Sequence, residues 1–419
     1  MTARGSRADR ADRADRADRA DRGPGPRLDV DALLDDPSTR VLVCCGSGGV
    51  GKTTVAAALA LRAAERGRRT VVLTIDPARR LAQSLGLTEL DNTPRPVAGV
   101  RATGAGFLDA MMLDMKRTFD EVVEAHASPE KAAQMLANPF YQALSSSFAG
   151  TQEYMAMEKL GQLRAVVDDD GRDRWDLIVV DTPPSRSALD FLDAPERLGS
   201  FLDGRFLRLL LSPAKAGGRA YVRVLSTIAG GVTGLMTKVL GAQVLTDVQA
   251  FVASFDSMFG GFRERAQQTY ALLAGSGTGF VVVAAPEPDA VREAGYFVDR
   301  LQAQGMPLAG VVLNRATLSP ERALDHEAAI AAAERAEAAP PSGDGAVHDG
   351  TAEVLRVHAR RVRRLETEHG VAARLTRLDP PVPTVAVPAR PLVVADLDAL
   401  RAVAEDLATG PAVAHSPTT

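Results

Sequence analysis

The chain has 419 residues, of which 46% are hydrophobic and 24% are charged, and its 49 Lys+Arg and 53 Asp+Glu give a formal net charge of −4. This composition is typical of a globular protein with two or three compact units, or with one large α/β domain that carries insertions. The acidic excess argues against a dedicated nucleic-acid binder, which needs a basic face to neutralise phosphates.

The two cysteines, Cys44 and Cys45, are adjacent in the sequence. Neighbouring residues of an extended segment point to opposite faces and rarely form a disulfide bond. The cysteine content therefore excludes a disulfide framework and a cysteine-rich zinc site, and it favours a reducing compartment. We expect the protein to be cytoplasmic.

An Ala-Asp-Arg triplet repeats from Ala8 to Arg22. Its charges alternate and it has neither an apolar stretch nor a hydrophobic face, so we expect residues 1–27 to be a disordered tail and not a signal peptide. A folded domain is expected over residues 28–405, followed by a flexible tail at 406–419. Within the domain, residues 328–350 are predicted to be a low-complexity insertion that begins as an Ala-rich helix.

The first elements of the domain are predicted to be a strand, a glycine loop and a helix. Arg40–Cys45 is apolar and β-rich, Thr53–Arg66 has helical spacing, and Gly67 closes the helix. The loop between them fits the pattern GxxxxGK[ST]. Its glycines let backbone N–H groups approach an anion closely, and the helix N-terminus adds a favourable dipole.

This loop is predicted to bind the phosphates of a nucleotide. Lys52 places a compact positive charge on the β- and γ-phosphates, and the Thr53 hydroxyl is the expected ligand of Mg²⁺. The alternative is a glycine-rich turn whose lysine faces solvent. The predicted nucleotide-binding residues of the loop are Gly46, Ser47, Gly48, Gly49, Val50, Gly51, Lys52, Thr53 and Thr54.

Two later strands are predicted to end in carboxylates. Thr70–Ile75 runs into Asp76, and Asp176–Val180 runs into Asp181. In a parallel sheet both strand ends lie beside the phosphate loop, where Asp76 could orient or deprotonate the attacking water and Asp181 could hold Mg²⁺ directly or through a water. The alternatives are a helix cap for Asp76 and a simple strand-end turn for Asp181.

Three more strands are predicted at Phe280–Ala284, Gly310–Leu313 and Val382–Val387. Asn314 follows the second of them and either reads an adenine or guanine edge or forms a turn. The chain has no NKxD motif, so guanine specificity is unsupported. Pro388 follows the third strand and is predicted to lie beside the base pocket.

Together these motifs resemble those of the ArsA and guided-entry (Get-type) ATPases, within the deviant-Walker-A class of P-loop NTPases, over roughly residues 40–405. GSGGVGKTT at 46–54 is similar to that family's phosphate loop, TIDPARRLAQSLG at 74–86 to its first switch, AGTQEYMAMEKL at 149–160 to its Gly-x-x-Glu segment, DTPPSRSALDFL at 181–192 to its second switch, and VVLNR at 311–315 to the segment with its adenine-contacting Asn.

The resemblance implies an α/β fold with a mostly parallel, doubly wound sheet flanked by helices. It also implies an inserted helical subdomain, at about residues 105–165 and 195–275. The activity that it implies is that of a dimeric ATPase switch that uses ATP and Mg²⁺, with Asp76 and Lys52 as catalytic residues. Hydrolysis would change a helical surface that binds a protein or membrane-associated client.

Three positions depart from the family pattern. Ser47 stands where members usually carry a lysine that reaches the partner's phosphates, Arg186-Ser187 replaces a Gly-His pair, and the CxxC motif is missing. Without that lysine a homodimer should hydrolyse ATP poorly unless Arg79, Arg80 or Arg186 substitutes. We therefore expect a heterodimer with a paralogue that carries the lysine, although a homodimer is possible. Arsenic transport is not expected.

Thr246–Gln249 has capping-box spacing and precedes an apolar helical stripe, which is either core or a groove for a hydrophobic client. The stripe consists of Val248, Phe251, Val252, Phe255, Phe259 and Phe262. Ile228–Leu245 is too polar and too short to span a bilayer, so at most peripheral membrane association is expected.

The competing hypothesis for the function is a catalytically weak, nucleotide-binding regulatory or scaffold subunit. A metabolic kinase would need an acceptor site that the sequence does not reveal.

Overall fold

The computed structural model describes residues 25–76, 80–138, 141–142, 151–183, 264–318, 324–338, 345–375, 378, 380–391 and 393–413. The strands are β1 Val41–Cys45, β2 Arg69–Thr74, β3 Arg95–Pro96, β4 Phe107–Met112, β5 Leu177–Asp181, β6 Thr278–Ala284, β7 Leu308–Ala316 and β8 Thr384–Pro388. The labelled helices are α1 Val30–Asp35, α2 Lys52–Glu65, α3 Arg80–Ser84, α4 Met115–His126, α5 Pro129–Leu136, α6 Thr151–Ala165, α7 Pro288–Ala303, α8 His326–Ala338, α9 Gly345–Ala372 and α10 Leu397–Thr409.

The strands form one eight-stranded sheet in the order β3-β4-β2-β5-β1-β6-β7-β8. Every neighbouring pair is parallel except β3 and β4. The sheet extends from β1 in both directions, so the strand order reverses beside β1 as in a doubly wound fold. The predicted α/β architecture with a mostly parallel sheet is confirmed.

Apolar side chains cover both faces of the sheet. In β1, Val41, Val43 and Cys45 belong to the core cluster under α4–α7, whereas Leu42 and Cys44 belong to the cluster under α1, α2, α3 and α10. Burial on both faces explains why the central strands are continuous apolar runs. It also separates the two cysteines, which are buried and free, and burial raises the pKa of the Cys45 thiol to about 12.

The strands expected from apolar runs are present, with ends that differ by a few residues. Gly67 closes α2 with φ of 103°, as its position after the helical pattern predicted. The sequence reasoning did not foresee β4, which lies inside the segment of about 105–165 that was assigned to a helical subdomain. Its residues join the sheet through β2, so the helical part of that segment begins at Met115.

Both ends of the expected domain are longer than proposed. Thr384 N donates to Pro26 O and Thr384 O accepts from Leu28 N, so residues 26–28 pair with β8 although the tail was drawn to residue 27. At the other end, α10 continues to Thr409 and Val413 N donates to Thr384 Oγ1 at 3.0 Å. The predicted low-complexity insertion contains all but the start of α8 and the first residues of α9, and these two helices pack against each other.

Several expectations fall outside the described residues. They include the apolar stripe from Val248 to Phe262, the segment Ile228–Leu245, most of the second switch, and Arg79 and Arg186. In the part of the chain that is described, no helix combines the length and the apolar character needed to span a membrane.

Candidate functional site

The phosphate loop connects the carboxyl end of β1 to the first turn of α2, at the edge of the sheet where parallel strands end. Gly46 has φ of 147° and Gly51 has φ of 93°, both in regions that side chains rarely adopt. A Cβ atom on Gly46 would lie 2.1 Å from the carbonyl oxygen of Val283. Glycine is therefore required where the loop leaves β1 and passes β6.

Lys52 is the first residue of α2 and is only 6% exposed. Its Nζ donates to the carbonyl oxygen of Ser47 at 2.8 Å, so the ammonium reaches back across the loop. Burial lowers the pKa of Lys52, and the Asp181 carboxylate opposes that effect. The lysine does not face solvent as the alternative interpretation required, and its charge lies among the loop atoms.

Asp181 ends β5 and is fully buried beside Thr74, its partner in the register of β2 and β5. The Thr74 hydroxyl donates to Asp181 Oδ2 at 2.8 Å and accepts from the backbone N–H of Asp76 at 3.2 Å. Burial raises the pKa of Asp181 to about 6, against the lowering effects of the Thr74 hydrogen bond, the nearby Thr53 hydroxyl and the Lys52 ammonium. One threonine therefore contacts both strand ends, through the carboxylate of Asp181 and through the backbone N–H of Asp76.

The oxygen atoms of Thr53 and Asp181 fit a magnesium ion. Asp181 Oδ1 is buried and has no donor in good hydrogen-bond geometry among the described residues, although the Thr53 hydroxyl is near enough to lower the pKa of the carboxyl. Buried acceptors normally have a partner, and hydroxyl and carboxylate oxygens are the ligands that Mg²⁺ prefers. Thr53 lies at the N-terminus of α2 next to Lys52.

A cavity of about 830 Å³ opens in front of the loop. At the loop it is lined by Gly49, Gly51, Lys52, Thr53, Thr54 and Asp76, and along β7 and β8 by Asn314, Arg315, Val387, Pro388, Ala389 and Arg390. The cavity thus brings Asp76, Asn314 and Pro388 together with the loop. Gly46, Ser47, Gly48, Val50 and Asp181 were also predicted as site residues but are not among the residues that line it.

A family model described as "Anion-transporting ATPase" matches residues 39–338, more than half of the chain. The chain belongs to the anion-transporting ATPase family. The match includes the phosphate loop, both strand-end carboxylates and Asn314. Membership in this family confirms the resemblance to ArsA and Get-type proteins that the motifs indicated.

Three relatives illustrate the range of the family. An uncharacterized protein of Streptomyces coelicolor is 35% identical over 46% of this chain and 45% of its own length. The ATPase GET3 of Malassezia globosa is 28% identical over 52% of this chain and 61% of its own length. The arsenical pump-driving ATPase of Acidiphilium multivorum is 29% identical over 38% of this chain and 26% of its own length. The chain covers less than two thirds of each of them.

In this member of the anion-transporting ATPase family, Asn314 holds the phosphate loop. Its Nδ2 donates to the carbonyl oxygen of Val50 at 2.8 Å, and the residue is 8% exposed. A Cβ atom on Gly51 would lie 2.3 Å from that nitrogen, so the loop and the amide approach each other closely. The sequence offered a base reader or a turn former, and neither alternative included this contact.

We expect Asn314→Ala to lower the free energy of unfolding by about 1–3 kcal/mol, since the buried Val50 carbonyl would lose its donor. Urea denaturation of the nucleotide-free protein measures this effect. The exposed Gln134 of α5 is the control, and Gln134→Ala should change stability by less than about 0.5 kcal/mol. Equal stability of Asn314→Ala and the native chain would contradict the assignment.

The family comparison and the sequence motifs did not indicate all of the cavity wall. Arg80 was considered only as a substitute cation, and it does line the cavity. Gln83 and Ser84 of α3 and the apolar residues Pro391, Val393 and Val394 were missed. Gln83 and Ser84 lie in the segment 74–86 that resembles the first switch but were not predicted as site residues, whereas the three apolar residues follow no motif. Both groups reach the site through the packing of α3 and of the segment between β8 and α10.

Proposed function

We propose that this chain binds ATP together with Mg²⁺ at the phosphate loop and hydrolyses it. The proposal is carried by one observation: a buried lysine lies at the glycine loop, in front of a cavity of about 830 Å³, close to a buried carboxylate oxygen that accepts no hydrogen bond within the described ranges. Anionic phosphates satisfy the lysine and the loop amides, and a divalent cation satisfies the carboxylate. The names of the relatives as ATPases support the same activity.

Each residue has a role that follows from its position. Lys52 stabilises charge on the β- and γ-phosphates, because an ammonium removed from water interacts more strongly with an anion. Thr53 and Asp181 hold the ion, which when bound neutralises phosphate charge. Asp76 lines the cavity and its backbone N–H donates to the Thr74 hydroxyl, which supports a role for its carboxylate in orienting the attacking water.

We propose further that the chain works as a cytoplasmic dimeric switch that couples its nucleotide state to a protein or membrane-associated client. Ser47 supports a heterodimer with a paralogue that carries a lysine at this position. Its hydroxyl is buried and has no hydrogen-bond partner among the described residues, and it bears no charge that could reach a partner's phosphates. A homodimer remains the alternative arrangement.

A catalytically weak regulatory subunit is the second candidate function, and the same serine favours it. Single-turnover hydrolysis by the isolated chain separates the two. Slow turnover that a paralogue accelerates supports the switch with a required partner. Turnover that stays negligible in every pairing supports the regulatory subunit, and fast turnover by the isolated chain contradicts the need for a heterodimer.

Asp181→Asn tests the metal assignment. Calorimetry should show that the native chain binds ATP more tightly with Mg²⁺ than with EDTA, and that the substitution removes most of this difference, an effect of about 10- to 100-fold. The asparagine can still accept from Thr74 and no longer carries a desolvated charge, so we expect the nucleotide-free variant to be at least as stable as the native chain. The exposed Asp170→Asn is the control. Full retention of the Mg²⁺ effect would refute the assignment.

A further inference from the structure

Arg315 has an unusual backbone. Among the described residues it is the one residue other than glycine with positive φ, at 60°. It follows Asn314 in an irregular part of the β7–β8 ladder, where the pairing shifts between Leu313 and Ala316 and resumes with Ala316 opposite Pro388. The bulge turns Asn314 toward the phosphate loop and leaves Arg315 exposed at the cavity.

An arginine is a poor choice for this conformation. The left-handed region is disfavoured for residues with a Cβ atom, and glycine or asparagine would relieve the strain. Strained residues that persist in a fold are concentrated at ligand-binding sites. The backbone conformation favours a smaller residue, so the presence of an arginine here indicates that its side chain has a function.

The guanidinium of Arg315 has no hydrogen bond or ion pair with any residue in the described ranges. Arg390 lines the same cavity but is engaged by the Asp406 carboxylate and donates to the carbonyl oxygen of Ala402 at 2.7 Å. Asp76 is the one carboxylate residue along the described cavity wall, and it lies at the loop end. The cavity therefore contains a guanidinium that its own wall does not compensate.

The position of Arg315 in the sheet determines which part of a bound nucleotide its side chain can contact. The phosphate loop follows β1, whereas Arg315 lies on β7, two strands away across β6. The end of β8 and the segment after it line the same cavity and contribute the apolar residues Pro388, Pro391, Val393 and Val394; of these, Pro388 lies opposite Ala316, next to Arg315. Val393 is 88% exposed, so this wall has apolar surface available for contact.

We propose that the guanidinium of Arg315 packs on the face of the nucleotide base, with the apolar segment after β8 as the opposite wall. A planar guanidinium binds the face of an aromatic ring through its charge and its shape. This inference rests on the proposed binding of ATP. It assigns to Arg315 a binding role at the base end of the cavity, separate from the phosphate contacts of Lys52.

Affinities for ATP and for inorganic tripolyphosphate test the assignment, because the second ligand has phosphates and no base. Arg315→Ala should weaken ATP and ADP binding by about fivefold, the size of a partly exposed cation–π contact, and leave tripolyphosphate binding unchanged. Lys52→Ala should weaken binding of all three. If Lys52→Ala weakens none of them, the proposed function fails. If Lys52→Ala behaves as expected and Arg315→Ala does not, the inference about Arg315 alone fails.

Two further variants separate the role of the side chain from that of the backbone. Arg315→Gly should weaken ATP binding as much as Arg315→Ala and leave the melting temperature equal or higher, because glycine accepts the positive φ. Arg315→Lys keeps the positive charge but lacks the planar guanidinium, so its affinity for ATP should be little better than that of Arg315→Ala. Full rescue by lysine, or an equal loss of tripolyphosphate binding, would place the guanidinium on the phosphates and overturn the proposal. Arg335→Ala, an exposed change on α8 outside the cavity, should have no effect.

Discussion

Replacement of Lys52 with alanine is expected to lower the affinity for MgATP by about a hundredfold or more. Lys52 is 6% exposed and its ammonium lies among the loop atoms, where its charge is poorly screened by water. Removal of one member of a buried, hydrogen-bonded charge pair costs about 2–5 kcal/mol, and the desolvated phosphates would have no other cation at the same point. Isothermal calorimetry at fixed Mg²⁺ concentration measures the loss.

The same substitution should not unfold the protein. In the absence of nucleotide, Lys52 is a desolvated charge with a depressed pKa, and relief of that desolvation offsets the loss of its hydrogen bond to Ser47 and of its charge near Asp181, so the denaturation midpoint should change little. The exposed Lys131 on α5 provides the control, since Lys131→Ala removes the same charge away from the cavity. Unchanged MgATP affinity in a folded Lys52→Ala variant would refute nucleotide binding at this loop.

Gly46→Ala is expected to destabilise the protein by about 3 kcal/mol or more. The new Cβ atom would meet the carbonyl oxygen of Val283 at 2.1 Å, and that atom belongs to the backbone of β6 at the centre of the sheet. No side-chain rotation can relieve such a contact. Either the loop leaves β1 along another path or the β1–β6 pairing shifts, and nucleotide binding is lost with it.

Gly49→Ala is the matched control in the same loop. Gly49 also has positive φ, at 79°, but no described atom lies within 4 Å of its hypothetical Cβ. Its substitution should cost about 1–2 kcal/mol, the strain of a left-handed residue alone. Urea denaturation of both variants measures the difference. Similar losses of stability for the two would show that the contact with Val283 is not what requires glycine at position 46.

Local patterns in the chain were sufficient to locate the central strands, the glycine loop and the helix that follows it. Runs such as Val41–Cys45 are apolar on both faces because helices cover both sides of a parallel sheet, so they stand out in the sequence. The carboxylates Asp76 and Asp181 were found for a related reason, since parallel strands bring their carboxyl ends to one edge. That rule depends on fold class and not on detailed packing.

Contacts between residues distant in the chain were needed for the rest. β4 was missed because its polar Asp109 interrupts the apolar run, and that carboxylate is satisfied only in the fold, where it accepts from the Trp175 indole N–H at 2.9 Å. The close approach of Asn314 to Gly51 depends on a bulge in β7. The conformation of Arg315 depends on the same bulge, which no composition rule predicts.

The amino-acid order alone therefore specified the chemistry: an anion-binding glycine loop, a lysine and two carboxylates at strand ends. It did so because backbone conformation and strand polarity constrain these residues locally. The burial of Lys52 and Asp181, the hydrogen bond from Asn314 to the loop and the position of Arg315 arise from packing across the sheet. These properties depend on the distances between helices and strands that are far apart in the chain. Residues that are neighbours in the sequence do not determine those distances.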